Sequence, residues 1–142
     1  MAQVRDVMSK DLQMIRPDSS IDKAAMEMKK SDVGALPVVE NDRVVGMLTD
    51  RDIAIRVVAE GNDPKEVTVR DVMTQDVQTV YDDSNISDVT RLMKDQQIRR
   101  VVVVTRDNRP AGVCSLVDLA LSLDEKTAGE VMKGMSSKGK MH

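Results

Sequence analysis

Val4-Arg5-Asp6-Val7-Met8 recurs letter for letter as Val69-Arg70-Asp71-Val72-Met73. An internal repeat constrains a chain more than composition does, because it dictates one supersecondary unit built twice. The same offset of 65 residues aligns Ser19 with Ser84, Ile21 with Ile86, Met28 with Met93 and Val38-Val39 with Val103-Val104. One residue is inserted around Asn108, after which Gly46, Asp52 and Ala54 align with Gly112, Asp118 and Ala120. The 142-residue chain therefore divides into repeat 1 over 1–63, repeat 2 over 64–123 and a tail over 124–142.

Each repeat opens on a short helical turn, around Arg5–Met8 in the first. A short strand follows, over Gln13–Ile15 or Val77–Val80. Ile21, Ala24, Ala25 and Met28 then fall at i, i+3, i+4 and i+7, which predicts an amphipathic helix, and Ile86, Val89 and Met93 repeat the stripe. Ser19 and Ser84 stand ahead as expected N-caps. Two β-branched strands come next, Leu36–Val39 with Val44–Leu48 and Val101–Val104 with Ala111–Cys114. A closing helix ends each repeat, over Asp50–Ala59 and Leu116–Leu123. The pattern is β-α-β-β-α, twice, an α+β fold of the α/β type. Units of about sixty residues bury little surface alone, so the two are expected to share a core. Gly61-Asn62-Asp63-Pro64 reads as the linker, and Ala128, Val131, Met132 and Met135 predict one short tail helix ahead of a frayed Ser136–His142.

Composition removes most catalytic chemistry. Cys114 is the single cysteine, so neither a disulfide framework nor a cysteine zinc cluster is available. His142 is the only histidine and the last residue, which leaves a Ser-His-Asp triad without a base. The 21 basic and 24 acidic side chains give a net charge of −3, and Tyr81 is the only aromatic residue. Nucleic-acid binding is not expected from a chain with neither basic excess nor stacking platforms. No apolar run reaches membrane-spanning length and no signal peptide opens the chain, so a cytoplasmic, non-enzymatic, non-membrane protein is expected. What remains is binding.

The strand-to-helix junctions carry the chemistry. Gly46-Met47-Leu48-Thr49-Asp50-Arg51-Asp52 aligns with Gly112-Val113-Cys114-Ser115-Leu116-Val117-Asp118. The shared pattern is Gly, two apolar residues, a hydroxyl, two variable residues and Asp. Two readings stand. Thr49-x-x-Asp52 and Ser115-x-x-Asp118 are capping boxes with Asp in the N3 place. Equally, a hydroxyl beside helix N–H groups suits an anion, and an Asp one turn on can accept from two adjacent hydroxyls, as on a ribose.

The GMLTDRD and GVCSLVD junctions, with the ALPVV and RRVVVV strands, resemble the CBS (cystathionine-beta-synthase) domain, and the tandem resembles a stand-alone CBS pair, or Bateman module. The resemblance covers roughly residues 4 to 123. It implies two repeats packed sheet to sheet with pseudo-two-fold symmetry, binding adenine nucleotides or related adenosyl ligands in the cleft between them. It implies phosphate contacts from Thr49 and Ser115 and ribose contacts from Asp52 and Asp118. The implied base pocket is Met14, Ile15, Ala35 and Pro37 in repeat 1, and Thr79, Val80, Arg100 and Val102 in repeat 2. Repeat 2 departs from the pattern at Val102, where repeat 1 has Pro37. No metal or resident cofactor is implied beyond that ligand.

Further residues stand between two roles. Arg99 and Arg100 begin a strand whose alternation sends one to the cleft and one to solvent, as phosphate contact or solvated strand end. Arg51 reads as a surface ion-pair partner or a further ligand contact, and Tyr81 as a base-stacking ring or a cover for the core edge. Cys114 reads as a buried small hydrophobe. Counting Arg99, Arg100 and Asp118 gives the second site +1, against −1 from Asp50, Arg51 and Asp52 at the first, so polyphosphates are expected to favour the second. Both closing helices are apolar nearly all round: Ile53, Ala54, Ile55, Val57, Val58 and Ala59, then Leu119, Ala120, Leu121 and Leu123. A second buried face is therefore expected, most simply in a two-fold homodimer. The expected function is a regulatory sensor of an adenosyl ligand acting on a protein in trans; the alternative is a ligand-free structural dimer module.

Overall fold

A computed structural model describes residues 2–10 and 12–135. The elements, in order, are a 3-10 turn (Val4–Asp6), α1 (Ile21–Ser31), β1 (Ala35–Glu40), β2 (Arg43–Thr49), α2 (Asp50–Ile53), α3 (Val69–Val72), β3 (Thr79–Tyr81), α4 (Ile86–Gln96), β4 (Arg100–Val104), β5 (Pro110–Ser115), α5 (Leu116–Ser122) and α6 (Glu125–Lys133). Helix and strand are mixed, as the α+β pattern requires. The last turns of the first closing helix are a π-helix, Ala54–Val58, whereas α5 is α-helical throughout.

Two compact units form, and they are not the linear repeats. One spans Gln13–Val77; the other joins the residues up to Leu12 with those from Gln78 onward. Each repeat's opening segment thus folds into the unit built by the other repeat. The exchange is reciprocal in its hydrogen bonds. Val4 donates its N–H to the Ser84 carbonyl at 2.8 Å, and Val69 donates to Ser19 at 2.8 Å. Ser9 and Val113 exchange a pair of backbone bonds, as Thr74 and Met47 do. Both copies of Val-Arg-Asp-Val-Met thus dock at corresponding positions, each on the other repeat. Val4 and Val69 are each fully buried. Gly61–Pro64 accordingly lies inside a unit rather than between units, with the Pro64 carbonyl accepting from Asp22 at 3.1 Å.

Each unit has a hydrophobic cluster of its own. In the 13–77 unit, Ile21, Ala24 and Met28 of α1 pack with Leu36, Val38, Leu48 and Val57, and the exchanged Val69, Val72 and Met73 complete the cluster. In the other unit, Ile86, Val89 and Met93 of α4 pack with Val101, Val103, Cys114, Leu116 and Leu119, completed by the exchanged Val4. Val131 of α6 joins this second cluster. Ala25 departs from the predicted stripe and faces solvent.

The sheets are small. β1 and β2 pair antiparallel across a two-residue turn, Asn41 and Asp42, both at positive φ (53° and 61°), the geometry that suits a twisted hairpin. The strand expected over Gln13–Ile15 reduces to one parallel bridge, Ile15 to Val38. In the other unit the order is β3-β4-β5, with β3 parallel to β4 and β4 antiparallel to β5. The predicted N-caps shift by one residue: Ser20 and Asn85 occupy those positions, and neither side chain caps the helix. The Ser20 hydroxyl instead bonds Asp22. The tail helix forms at Glu125–Lys133, capped by the Asp124 carboxylate, which accepts from the Thr127 N–H at 2.7 Å. Ser136–His142 lies outside the described residues.

Candidate ligand site

The two junctions fold as near copies. At the first, the Asp52 N–H donates to Thr49 Oγ1 at 3.1 Å and the Thr49 N–H donates to Asp52 Oδ2 at 3.0 Å. At the second, both bonds of the Ser115–Asp118 pair are 3.0 Å. The capping reading is therefore realised in both. It leaves chemistry over. The box uses one oxygen of each carboxylate and only the accepting side of each hydroxyl, whose proton is left to donate. Capping and ligand contact are compatible at the same residues. Each box is tied to the residue just ahead of β1 or β4, Asp50 donating its N–H to the Gly34 carbonyl at 2.9 Å and Leu116 to that of Arg99 at 2.8 Å.

Accessibility separates the two. Thr49 is 1% exposed and Asp52 4%, whereas Ser115 and Asp118 are half-buried. Ser115 opens into a cavity of about 130 Å³ that it shares with Arg99, Arg100, Leu116, Val117 and Met132. Arg99 and Arg100 both line this cavity, and both are half-buried. The first repeat has Gly34 where the second has Arg99; a Cβ there would lie 2.9 Å from Asp50 Oδ2. Chemically, a hydroxyl donor beside two guanidinium-bearing side chains and three apolar ones suits an organic anion.

The remaining candidates distribute as follows. In the 13–77 unit Pro37 is buried, Ile15 and Ala35 are half-buried, and Met14 is 46% exposed. The Pro37 carbonyl accepts from Ile15 at 3.0 Å, so these two lie together. In the other unit Thr79 is exposed and pairs in register with the fully buried Val102, while Val80 packs on the core. Arg51 is exposed and makes no ion pair among the described residues, against the surface-pair reading. Tyr81 carries the Arg106 guanidinium 4.2 Å over its ring. Arg106 in turn holds Asp83 at 3.0 and 2.9 Å and keeps that carboxyl below the usual range, so one ring face is already covered. Cys114 is fully buried; burial, helped by the Asp118 charge, pushes its thiol up to about 12, and it stays protonated. No group of three or more metal-ligating side chains occurs among the described residues.

Two roles were invisible in the sequence pattern. Gly46 and Gly112 open both junction motifs for packing. A Cβ on Gly112 would sit 2.5 Å from the Ser9 carbonyl oxygen, and one on Gly46 would sit 2.6 Å from Met73 Sδ. Met132 reaches the second cavity from α6, outside the repeat, where no alignment of the halves points.

The CBS domain family model matches residues 4–59 and 69–125. The chain belongs to the CBS domain family. Among its CBS relatives, the CBS domain-containing protein YhcV of Bacillus subtilis is 36% identical over 137 residues, covering 96% of each chain. The crystal structure of Hypoxic Response Protein I with two coordinated zinc ions is similar at a TM-score of 0.76 and 32% identity, covering 86% of this chain and 99% of that one. CBSX2 in complex with AMP is similar at a TM-score of 0.72 and 25% identity, covering 86% and 96%. CBS domain proteins are typically regulatory modules, and the tandem CBS organisation is shared. No helix among the described residues is long and apolar enough to cross a membrane.

Proposed function

We propose that this CBS pair is a non-catalytic cytoplasmic sensor that binds an adenine nucleotide or related adenosyl ligand at its junctions, the second above all. The observation that carries this is the convergence of Ser115, Arg99 and Arg100 on one cavity beside a capping box. Ser115 has a hydroxyl proton to give a phosphate, and Asp118 has a second carboxylate oxygen for a ribose. The AMP complex of CBSX2 supports the ligand class. A thermal-shift series with AMP, ADP, ATP, NAD(H) and S-adenosylmethionine tests it. A ligand at a hundred times its Kd is expected to stabilise the fold by about 2.7 kcal/mol. A flat melting temperature across the series would leave the chain a ligand-free interaction module.

Homodimerisation is part of the proposal, its output acting on a regulated protein in trans. Ile55 and Val58 on the first closing helix are 51% and 67% exposed, and Val117 and Leu121 on α5 are 60% and 82% exposed. Apolar side chains so placed on helices already packed along another face invite a second copy. Light scattering is expected to return twice the 15.7 kDa chain mass in the micromolar range; a value near 15.7 kDa would contradict it.

A further inference from the structure

Building on the sensor role above, we propose that the C-terminal helix α6 is part of the second ligand site, with Met132 as a specificity-determining wall. Ligand occupancy and the docking of α6 are then linked.

The family match ends at residue 125, where α6 begins, so α6 is an addition to the repeat. It is nevertheless firmly placed. Val131 inserts into the core with Ile86, Val89 and Leu119 and is 9% exposed. The Gln97 side-chain amide donates to the Gly134 carbonyl at 3.2 Å, holding the far end of the helix. The Asp124 carboxylate caps the helix's own first turn. Between these anchors, Met132 follows the buried Val131 and lines the cavity of Arg99, Arg100 and Ser115.

Its chemistry suits an organic anion over an inorganic one. Phosphate oxygens find the guanidinium groups and the Ser115 hydroxyl. The rest of the molecule finds Met132, Leu116 and Val117, and a thioether on an unbranched stem adapts to an irregular partner. Met132 is 44% exposed, so it has surface left to cover. A ligand that contacts both Met132 and the β4–α5 edge binds only the docked state of α6 and must stabilise it, and a docked α6 must bind the ligand more tightly by the same factor. Occupancy is thereby readable at the C-terminal end of the chain.

The test is calorimetric titration of AMP into wild type, Met132→Ala, Met132→Glu and, as control, Met26→Glu, whose residue is 67% exposed on α1. Amide exchange over Glu130–Gly134 is followed with and without AMP. Met132→Glu places a carboxylate against the arginines and is expected to weaken AMP at least tenfold. Met132→Ala is expected to weaken AMP severalfold while leaving inorganic pyrophosphate unchanged. Met26→Glu should match wild type, and AMP should slow exchange in α6. If wild type binds AMP and both Met132 variants bind it equally well with α6 exchange unmoved, α6 has no part in the site. If wild type binds no member of the adenosyl series, the sensor role itself falls, and this assignment with it.

Discussion

Gly112→Val is expected to destabilise the protein by about 2–3 kcal/mol, near the upper end of what overpacking costs. Any side chain at this position begins 2.5 Å from the Ser9 carbonyl oxygen and 2.8 Å from Met8 Sδ. The oxygen is backbone and is held by the paired Ser9–Val113 bonds, so it cannot step aside without breaking them. The N-terminal segment would have to lift from β5, taking the fully buried Val4 with it. Gly46→Val should cost less. There the nearest atom is the flexible Met73 thioether at 2.6 Å, and the backbone oxygen of Thr74 is 3.0 Å away. Melting curves of the two variants check the order. Equal losses, or Gly46 the worse, would mean that the opening segments yield more easily than their hydrogen bonds indicate.

Asp118→Ala is expected to lower AMP affinity about ten- to a hundredfold, the size of a lost charge-assisted hydrogen bond. The paired variant Asp52→Ala should show the opposite emphasis. Asp52 is 4% exposed and accepts from the buried Thr49 N–H, so its loss leaves a buried donor without a partner, worth about 1–3 kcal/mol of stability. Asp118→Ala loses the same cap in a half-buried setting and should cost nearer the lower end of the about 0.5–2 kcal/mol typical of caps. Titration and melting curves on both variants separate the effects. Unchanged AMP affinity in Asp118→Ala, with wild type binding, would remove its ribose role and leave it a cap alone.

Periodicity and repetition made most of the secondary structure legible. The stripes Ile21-Ala24-Met28 and Ile86-Val89-Met93 report directly which face is buried, because helical spacing and core contact are the same fact. The hydroxyl-x-x-Asp boxes were equally plain, since a capping box is local and depends on nothing beyond four residues. What escaped was non-local. Nothing in Val4-Arg5-Asp6-Val7-Met8 says whether it packs on its own repeat or on the other, since both copies are identical and their targets stand at corresponding positions of the two repeats. The caps slipped from Ser19 and Ser84 to Ser20 and Asn85 because backbone bonds from the exchanged segment engage the preceding carbonyls: Ser19 accepts from Val69, and Ser84 from Val4. The difference between the junctions was half legible. The arginine pair Arg99-Arg100 marked the second as the more basic, but the burial of Thr49 and the presence of Met132 depend on tertiary packing that no spacing records.

The exchange of opening segments has a consequence for how the chain comes into being. As the chain is made N-terminus first, every residue of the 13–77 unit is present once Val77 is added. The first twelve residues have no place in it. Ser9 pairs with Val113, so these residues wait while roughly a hundred more are added, about 5–20 s at ordinary synthesis rates. Through that interval Val4, destined for complete burial, is without its core. The opening segment pairs with β5, so a nascent chain interrupted between Val77 and β5 carries every residue of the 13–77 unit and an opening segment whose partner strand is not yet made.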